Sequence, residues 1–142
     1  MQYLRVSSRT FSIRLLLGAS AGSSLNQMSD TVTLYRPVGP NELALLKANN
    51  FKRWPPRLPE QPIFYPVTNE EYAAEIASKW NVRDSGSGFV TRFEVRREFM
   101  NRYEIHQVGA SRHTEWWIPA EELEELNDNI VGSIEVVRSF GA

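Results

Sequence analysis

Five of the chain's eight prolines fall between residues 52 and 66: Pro55, Pro56, Pro59, Pro62 and Pro66. No helix survives that density, because each proline lacks an N–H and its ring clashes with the preceding turn. The segment has to run extended, and it should be stiff rather than floppy. Inside it Ile63-Phe64-Tyr65 is the stretch with strand composition, and the flanking prolines argue for an edge position. Any fold this chain adopts is therefore built on either side of an extended strut.

Before the strut, residues 31–36 read Thr-Val-Thr-Leu-Tyr-Arg, β-branched and aromatic, which predicts a strand ended by Pro37 and Gly39. Pro40 suits the first turn of a helix and Glu42 its positive end. Leu43, Leu46 and Lys47 continue that helix to about Asn49, and Asn49-Asn50 is a left-handed stop. After the strut, Thr68-Asn69-Glu70-Glu71 reads as a capping box with Thr68 at the N-cap. Tyr72, Ile76 and Trp80 follow at helical spacing for about three turns. Asp84-Ser85-Gly86-Ser87-Gly88 is a flexible turn.

Phe89 to Val95 alternates, with Phe89, Thr91, Phe93 and Val95 on one face and Val90, Arg92 and Glu94 on the other. Arg97 to Asn101 reads as a helical turn, and Tyr103 to Val108 as a strand with Tyr103 and Ile105 inward. His113 to Ile118 is a further strand. There His113, Glu115 and Trp117 share one face, and Trp116 and Ile118 the other. Pro119 opens an acidic helix, Ala120 to Asn127, and Ile130 to Arg138 is a last strand. Strands outnumber helices in mixed order, so the expected class is α+β: a mixed, mostly antiparallel sheet with a few short helices.

A length of 142 residues suits one domain, and 42% apolar with 23% charged residues predicts an ordinary packed core. The net charge of -1 speaks against general nucleic-acid binding, which needs clustered Lys and Arg. With no cysteine and only His106 and His113, neither a thiolate nor a histidine-rich metal site is available, and no metal is expected. The absence of cysteine fits a reducing, cytoplasmic setting. No apolar run reaches membrane-spanning length.

Residues 1–27 differ from the rest. They hold Arg5, Arg9 and Arg14, six serines and no acid. They read either as a transit-type leader, which would send the chain to an organelle, or as a non-native extension ahead of a start at Met28. The second reading is preferred, because no small-residue cleavage pattern is crisp. A single α+β domain is then expected over 28–142, with a charge of about -4 once three arginines are removed.

Three strand-like segments carry the chemistry. They are Leu34-Tyr35-Arg36-Pro37-Val38-Gly39, Ile63-Phe64-Tyr65-Pro66-Val67 and Thr114-Glu115-Trp116-Trp117-Ile118-Pro119. A guanidinium at Arg36 can clamp a diphosphate in fork geometry, or stand as an exposed strand-end cation. Tyr65 can stack on a flat heterocycle, or lie half-buried with its hydroxyl wet. Glu115 is the strongest candidate. A carboxylate among tryptophans can stabilise a ribosyl cation, unless it simply pairs with Arg92 or Arg112. His113 can orient a ligand hydroxyl or be a surface histidine. Together these residues suit a dinucleotide such as NAD. The glutamates 121, 122, 124 and 125 read as a solvated helix face.

Residues 33–137 resemble small bacterial proteins known as the ADP-ribosylation/crystallin J1 family. Besides the three segments above, the likeness rests on Pro56-Arg57-Leu58-Pro59-Glu60-Gln61-Pro62, Glu70-Glu71-Tyr72-Ala73, Phe89-Val90-Thr91-Arg92-Phe93-Glu94-Val95 and Ala120-Glu121-Glu122-Leu123. More loosely, the layout is similar to the ADP-ribosyltransferase fold. That fold has an Arg or His ending the first strand, a Ser or Tyr strand next, and a late-strand Glu at the nicotinamide ribose. The resemblance implies NAD held by Arg36, Tyr65 and His113, with Glu115 as the catalytic group that cleaves the nicotinamide–ribose bond. The chain departs from that pattern in lacking a Ser-Thr-Ser and in carrying His113 where Glu or Gln is usual. The alternative is a non-catalytic relative: a nucleotide-binding module, or a protein-interaction module docking through loop 52–66 and Trp54.

Overall fold

In the computed structural model, which describes residues 30–141, the first strand β1 (Thr31–Val38) pairs antiparallel with β3 (Ser87–Arg96), and β3 with β7 (Ile130–Gly141). Two further ladders are antiparallel: β2 (Ile63–Phe64) with β6 (Ile118–Pro119), and β4 (Ile105–Gln107) with β5 (Thr114–Trp116). Val67 joins them. Its N–H and C=O both bond to Tyr35, at 2.7 and 3.0 Å, and it bridges Glu115 on its other side. The α+β class with antiparallel pairing is thus observed. The reading of residues 1–27 as a leader or extension falls outside the described residues. The compact unit runs Thr31–Ala142.

The short strand in the proline segment, β2, is edge-like as expected, pairing on one side only, with β6. The pairings of β2 with β6 and of Val67 with Glu115 share one register, and Val67 is the residue of this segment that also bridges β1, at Tyr35. Pro66 cannot donate, which interrupts the ladder there, but its carbonyl still accepts from Trp116 N at 2.9 Å. A proline at a position that needs only an acceptor is compatible with a strand ladder.

Each face of the sheet has its own core. On one face Leu34, Val38, Phe93, Val95, Trp116 and Ile118 meet α1 (Pro40–Ala48), α4 (Arg97–Met100) and α5 (Leu123–Asp128) through Leu43, Leu46, Phe99, Leu123 and Leu126. Trp54 is only 1% exposed and packs edge-on to Phe93 at 5.1 Å. Asn127 holds it there: its side chain accepts from Trp54 N at 2.8 Å and donates to Trp54 O at 3.0 Å. Docking of a partner through Trp54 is therefore closed off; the proline segment uses this ring as its anchor into the core.

The opposite face is covered by α2 (Glu70–Ile76), which continues through a π-helical turn, Ala77–Asn81, into α3 (Val82–Ser85). Ala73, Ala77, Val67 and Val90 are packed together beneath it. Gly88 permits this approach, because a Cβ there would overlap the carbonyl of Ala77. The cap is Asn69, not Thr68: its side chain accepts from Tyr72 N at 2.7 Å. Residues 84–85 end the helix, and Gly86 at φ 87° closes it.

The alternation of β3 is as expected. Ile105, expected inward, is 56% exposed on β4, a short strand paired only with β5 among the described residues. The acidic helix begins as a 3-10 turn, Ala120–Glu122. No helix among the described residues is long and apolar enough to cross a membrane.

Candidate functional site

Side-chain parity on β1, residues 63–68 and β5 decides which candidates meet. Tyr35, Val67 and Glu115 are aligned across the sheet, so their side chains share the α2 face. Arg36, one residue on, projects to the other face with Leu34 and Val38. Tyr65 and His113 lie two residues from Val67 and Glu115, on the α2 side. The structure therefore brings Tyr65, Glu115 and His113 to one face and leaves Arg36 on the other. Arg36 and Glu115 do not line one cleft.

On the α1 face the Arg36 side chain, 11% exposed, is held by Glu42 from the first turn of α1. Nε donates to Oε2 at 2.8 Å and Nη2 to Oε1 at 3.0 Å. Its guanidinium lies over Phe64, 4.6 Å from the ring centroid, and 5.6 Å from that of Trp54. Arg57 arrives from the proline segment on the same ring, 5.7 Å from the Phe64 centroid. Its Nε is buried and has no hydrogen-bond partner. Burial first, and then the nearby Arg36, lower the Arg57 pKa from its ordinary value, against the pull of Glu42 and Tyr65. Two guanidiniums thus share the buried Phe64 ring with one carboxylate.

Arg57 is the residue that reading by strands overlooks. Its one signal is its setting, a cation between Pro56 and Leu58 in a stiff segment, where little entropy remains to be lost on binding.

On the α2 face Glu115 accepts from two neutral donors, Trp117 Nε1 at 2.8 Å and Tyr72 Oη at 3.3 Å. Burial, and then Glu115, push the Tyr72 phenol above its ordinary pKa. Neither expected arginine partner reaches Glu115: Arg92 bonds Glu135 at 2.7 Å and Arg112 bonds Glu75 at 2.8 Å. His113 stacks on Tyr72 at 4.6 Å and its Nε2 lies 3.1 Å from Glu75. Its Nδ1 accepts from Ala110 N, so the neutral ring carries its proton on Nε2 and donates to Glu75. His113 is thus a structural clamp between α2 and β5.

Trp117 and Tyr65 are 43% and 44% exposed, and the shared register sets them opposite each other. His106 stacks on Trp117 with ring centroids 3.7 Å apart and planes 4° from parallel.

An open depression of about 400 Å³ lies elsewhere, lined by Thr33, Tyr35, Arg92, Glu94, Gly132 and Glu135. None of the four candidates lines it. Arg92 there bonds Glu135, and Glu94 accepts from the hydroxyls of Thr31 and Thr33. The acidic helix is tied down as well, with Glu124 on Arg53, Glu125 on Arg102 and Glu122 on Tyr103. Among the described residues no cluster of His, Asp and Glu has the convergence a metal ion needs.

Comparison with family models, with curated proteins and with solved structures finds no match for this chain. What can be said of function rests on the two faces just described.

Proposed function

We propose that this domain binds a nucleotide carrying a diphosphate, NAD or ADP-ribose in kind, as a non-catalytic module of ADP-ribosyltransferase-like architecture. The observation that carries this reading is the pair Arg36 and Arg57 on Phe64 with only Glu42 between them. Two cations and one anion leave one positive charge unmatched in a half-buried place, and a phosphate oxygen on Arg57 Nε would supply both the charge and the missing acceptor. Arg36 keeps Nη1 free of Glu42 for a second phosphate oxygen.

Cleavage of the nicotinamide–ribose bond is the less supported reading. It needs Glu115 at the same ribose that the arginines orient, and that carboxylate faces the α2 side. The resemblance to the crystallin J1 family fits either reading.

Calorimetric titration of the full chain with NAD, ADP-ribose, ADP and adenosine tests the proposal, with free nicotinamide followed in the NAD samples. The diphosphates should bind and adenosine should not. Arg57→Gln should weaken ADP-ribose by about tenfold, the loss of one charge-assisted hydrogen bond of ~1.5 kcal/mol, and nicotinamide should not appear. Release of nicotinamide that Glu115→Gln abolishes would replace the binding module with an enzyme. Failure of every diphosphate to bind at millimolar concentration would sink both.

A further inference from the structure

Glu115, like Glu94 and Glu122, is a partly buried carboxylate whose hydrogen bonds come from neutral donors. Glu42 and Glu75 both face guanidiniums, whereas Glu115 is bonded only to an indole N–H and a phenol. A carboxylate offers about four lone-pair sites, and two are used here. The cations nearest in sequence and pairing are committed to Glu75 and Glu135. Next to this unmatched anion stands an open indole. His106 stacks on the Trp117 ring, the residue is 43% exposed, and Tyr65 is its cross-strand neighbour. Residues 65 and 117 lie between the hydrogen-bonded positions of Pro66 with Trp116 and of Phe64 with Ile118, so their side chains are at the closer cross-strand spacing. The N–H of Trp117 donates to Glu115, which pushes electron density into the indole and strengthens its attraction for a cation over the ring.

We infer that Trp117, Glu115 and Tyr65 form a seat for the guanidinium or ammonium group of a basic side chain presented by a protein partner. A single cation on an exposed ring is held weakly, because water competes for it on the open side. With Trp117 43% exposed, a free small cation gains little here. A side chain delivered on a larger surface brings its own water exclusion. The exposed Val108, just past β4 and two residues from His106, gives such a surface an apolar margin beside the charge. The seat is on the opposite face from Arg36 and Arg57, so it stands or falls separately from nucleotide binding.

The test uses the indole N–H signals of the uniformly ¹⁵N-labelled full chain, with Trp117 assigned through Trp117→Phe. The probe is the capped tripeptide Gly-Arg-Gly, and its control is Gly-citrulline-Gly, equal in shape but neutral. The arginine peptide should shift the Trp117 signal saturably at millimolar concentration and the citrulline peptide should not. A capped peptide with three spaced arginines should bind at least tenfold tighter. Glu115→Gln should weaken the arginine peptide at least fivefold while the buried Trp54 and Trp116 signals stay in place, which shows the fold intact. Arg57→Gln should leave the response unchanged. Equal shifts from arginine and citrulline, an unaltered response in Glu115→Gln, or no saturable shift at Trp117 would each overturn the proposal.

Discussion

The two faces of the sheet are mirror images in charge. On the α1 face two guanidiniums, Arg36 and Arg57, share the carboxylate of Glu42 over Phe64. On the α2 face the carboxylate of Glu115 has neutral donors and no cation. Each face is short of one partner of opposite sign, and in each the unmatched group lies against an aromatic ring. The cause of the separation is a single step along β1. Tyr35 is aligned with Glu115 across the sheet, and Arg36 is the next residue, so its side chain goes to the other side. Arginine, tyrosine and glutamate on three neighbouring strands do not make one site unless their parities agree.

The comparison breaks most sharply at the two tryptophans. Trp54 is the floor beneath Arg36 and the anchor of the proline segment, with 1% of its surface exposed. Trp54→Ala should destabilise the domain by roughly 3–5 kcal/mol in urea unfolding. Trp117→Ala on the other face removes a ring that is 43% exposed, and about 1 kcal/mol or less is expected. Similar losses at both positions would mean that Trp117 is packed structure and not an open seat.

Asn127 comes next. Its amide satisfies both backbone groups of Trp54, at 2.8 and 3.0 Å, inside the core. Asn127→Ala leaves a buried N–H and a buried C=O without partners, for an expected loss of roughly 2–4 kcal/mol. Because this clamp fixes the loop that delivers Arg57, the variant should also lose affinity for ADP-ribose. Retained affinity in a destabilised Asn127→Ala chain would show that Arg57 is positioned by its prolines alone.

Much of this was legible in the sequence, and the part that was not has identifiable reasons. The alternation of Phe89 to Val95, and the split of Trp116 and Ile118 from Glu115 and Trp117, follow from the two-residue period of a strand, and both are observed. The start of α1 at Pro40 follows from the fixed backbone angle of proline. Its stop is harsher than the paired asparagines suggest: Asn50 and Phe51 both take positive φ, 62° and 60°. Phe51 tolerates it because its N–H bonds Leu46 O, its carbonyl accepts from Ile134 N, and its ring packs on the core. The edge place of β2 follows from its flanking prolines, whereas the bridging of Val67 to both Tyr35 and Glu115 has no local signal. The burial of Trp54 depends on Asn127, 73 residues away in sequence, which no local pattern reports. The site suffered most, since registry between strands is long-range information and parity follows from registry.

A third way to sharpen the comparison exchanges one carboxylate on each face for its neutral amide. Glu42→Gln leaves Arg36 and Arg57 facing each other on Phe64 with no anion between them. Destabilisation of roughly 1–3 kcal/mol is expected, less than for a fully buried pair because Glu42 keeps 22% of its side chain exposed. The same change should tighten ADP-ribose, whose phosphate no longer competes with Glu42. Glu115→Gln should stay within about 0.5 kcal/mol of the parent, because a carboxamide oxygen can take the indole N–H while its NH₂ donates to Tyr72 Oη. Added salt should narrow the gap between Glu42→Gln and the parent, since anions then fill the vacated place. A loss for Glu115→Gln as large as that for Glu42→Gln would mean an unseen cation partners Glu115, and the charge asymmetry between the faces would disappear.

The smallest expected effect is a pH dependence confined to the α2 face. Glu75 is held below the usual carboxylate range, chiefly by its hydrogen bond from His113 and then by that from Arg112. A carboxylate depressed in the folded state adds stability above its unfolded pKa, near 4.3, and that contribution fades as pH falls through the lower folded value. Stability measured from pH 6 down to pH 3 should therefore fall less steeply in Glu75→Gln than in the parent. Protonation of Glu75 loosens His113, which stacks on Tyr72, and Tyr72 in turn bonds Glu115. The indole N–H signal of Trp117 should move over the same pH range in the parent and stay still in Glu75→Gln if these contacts act as one chain. If it moves equally in both, the contacts through Glu75, His113 and Tyr72 do not carry the change to Trp117.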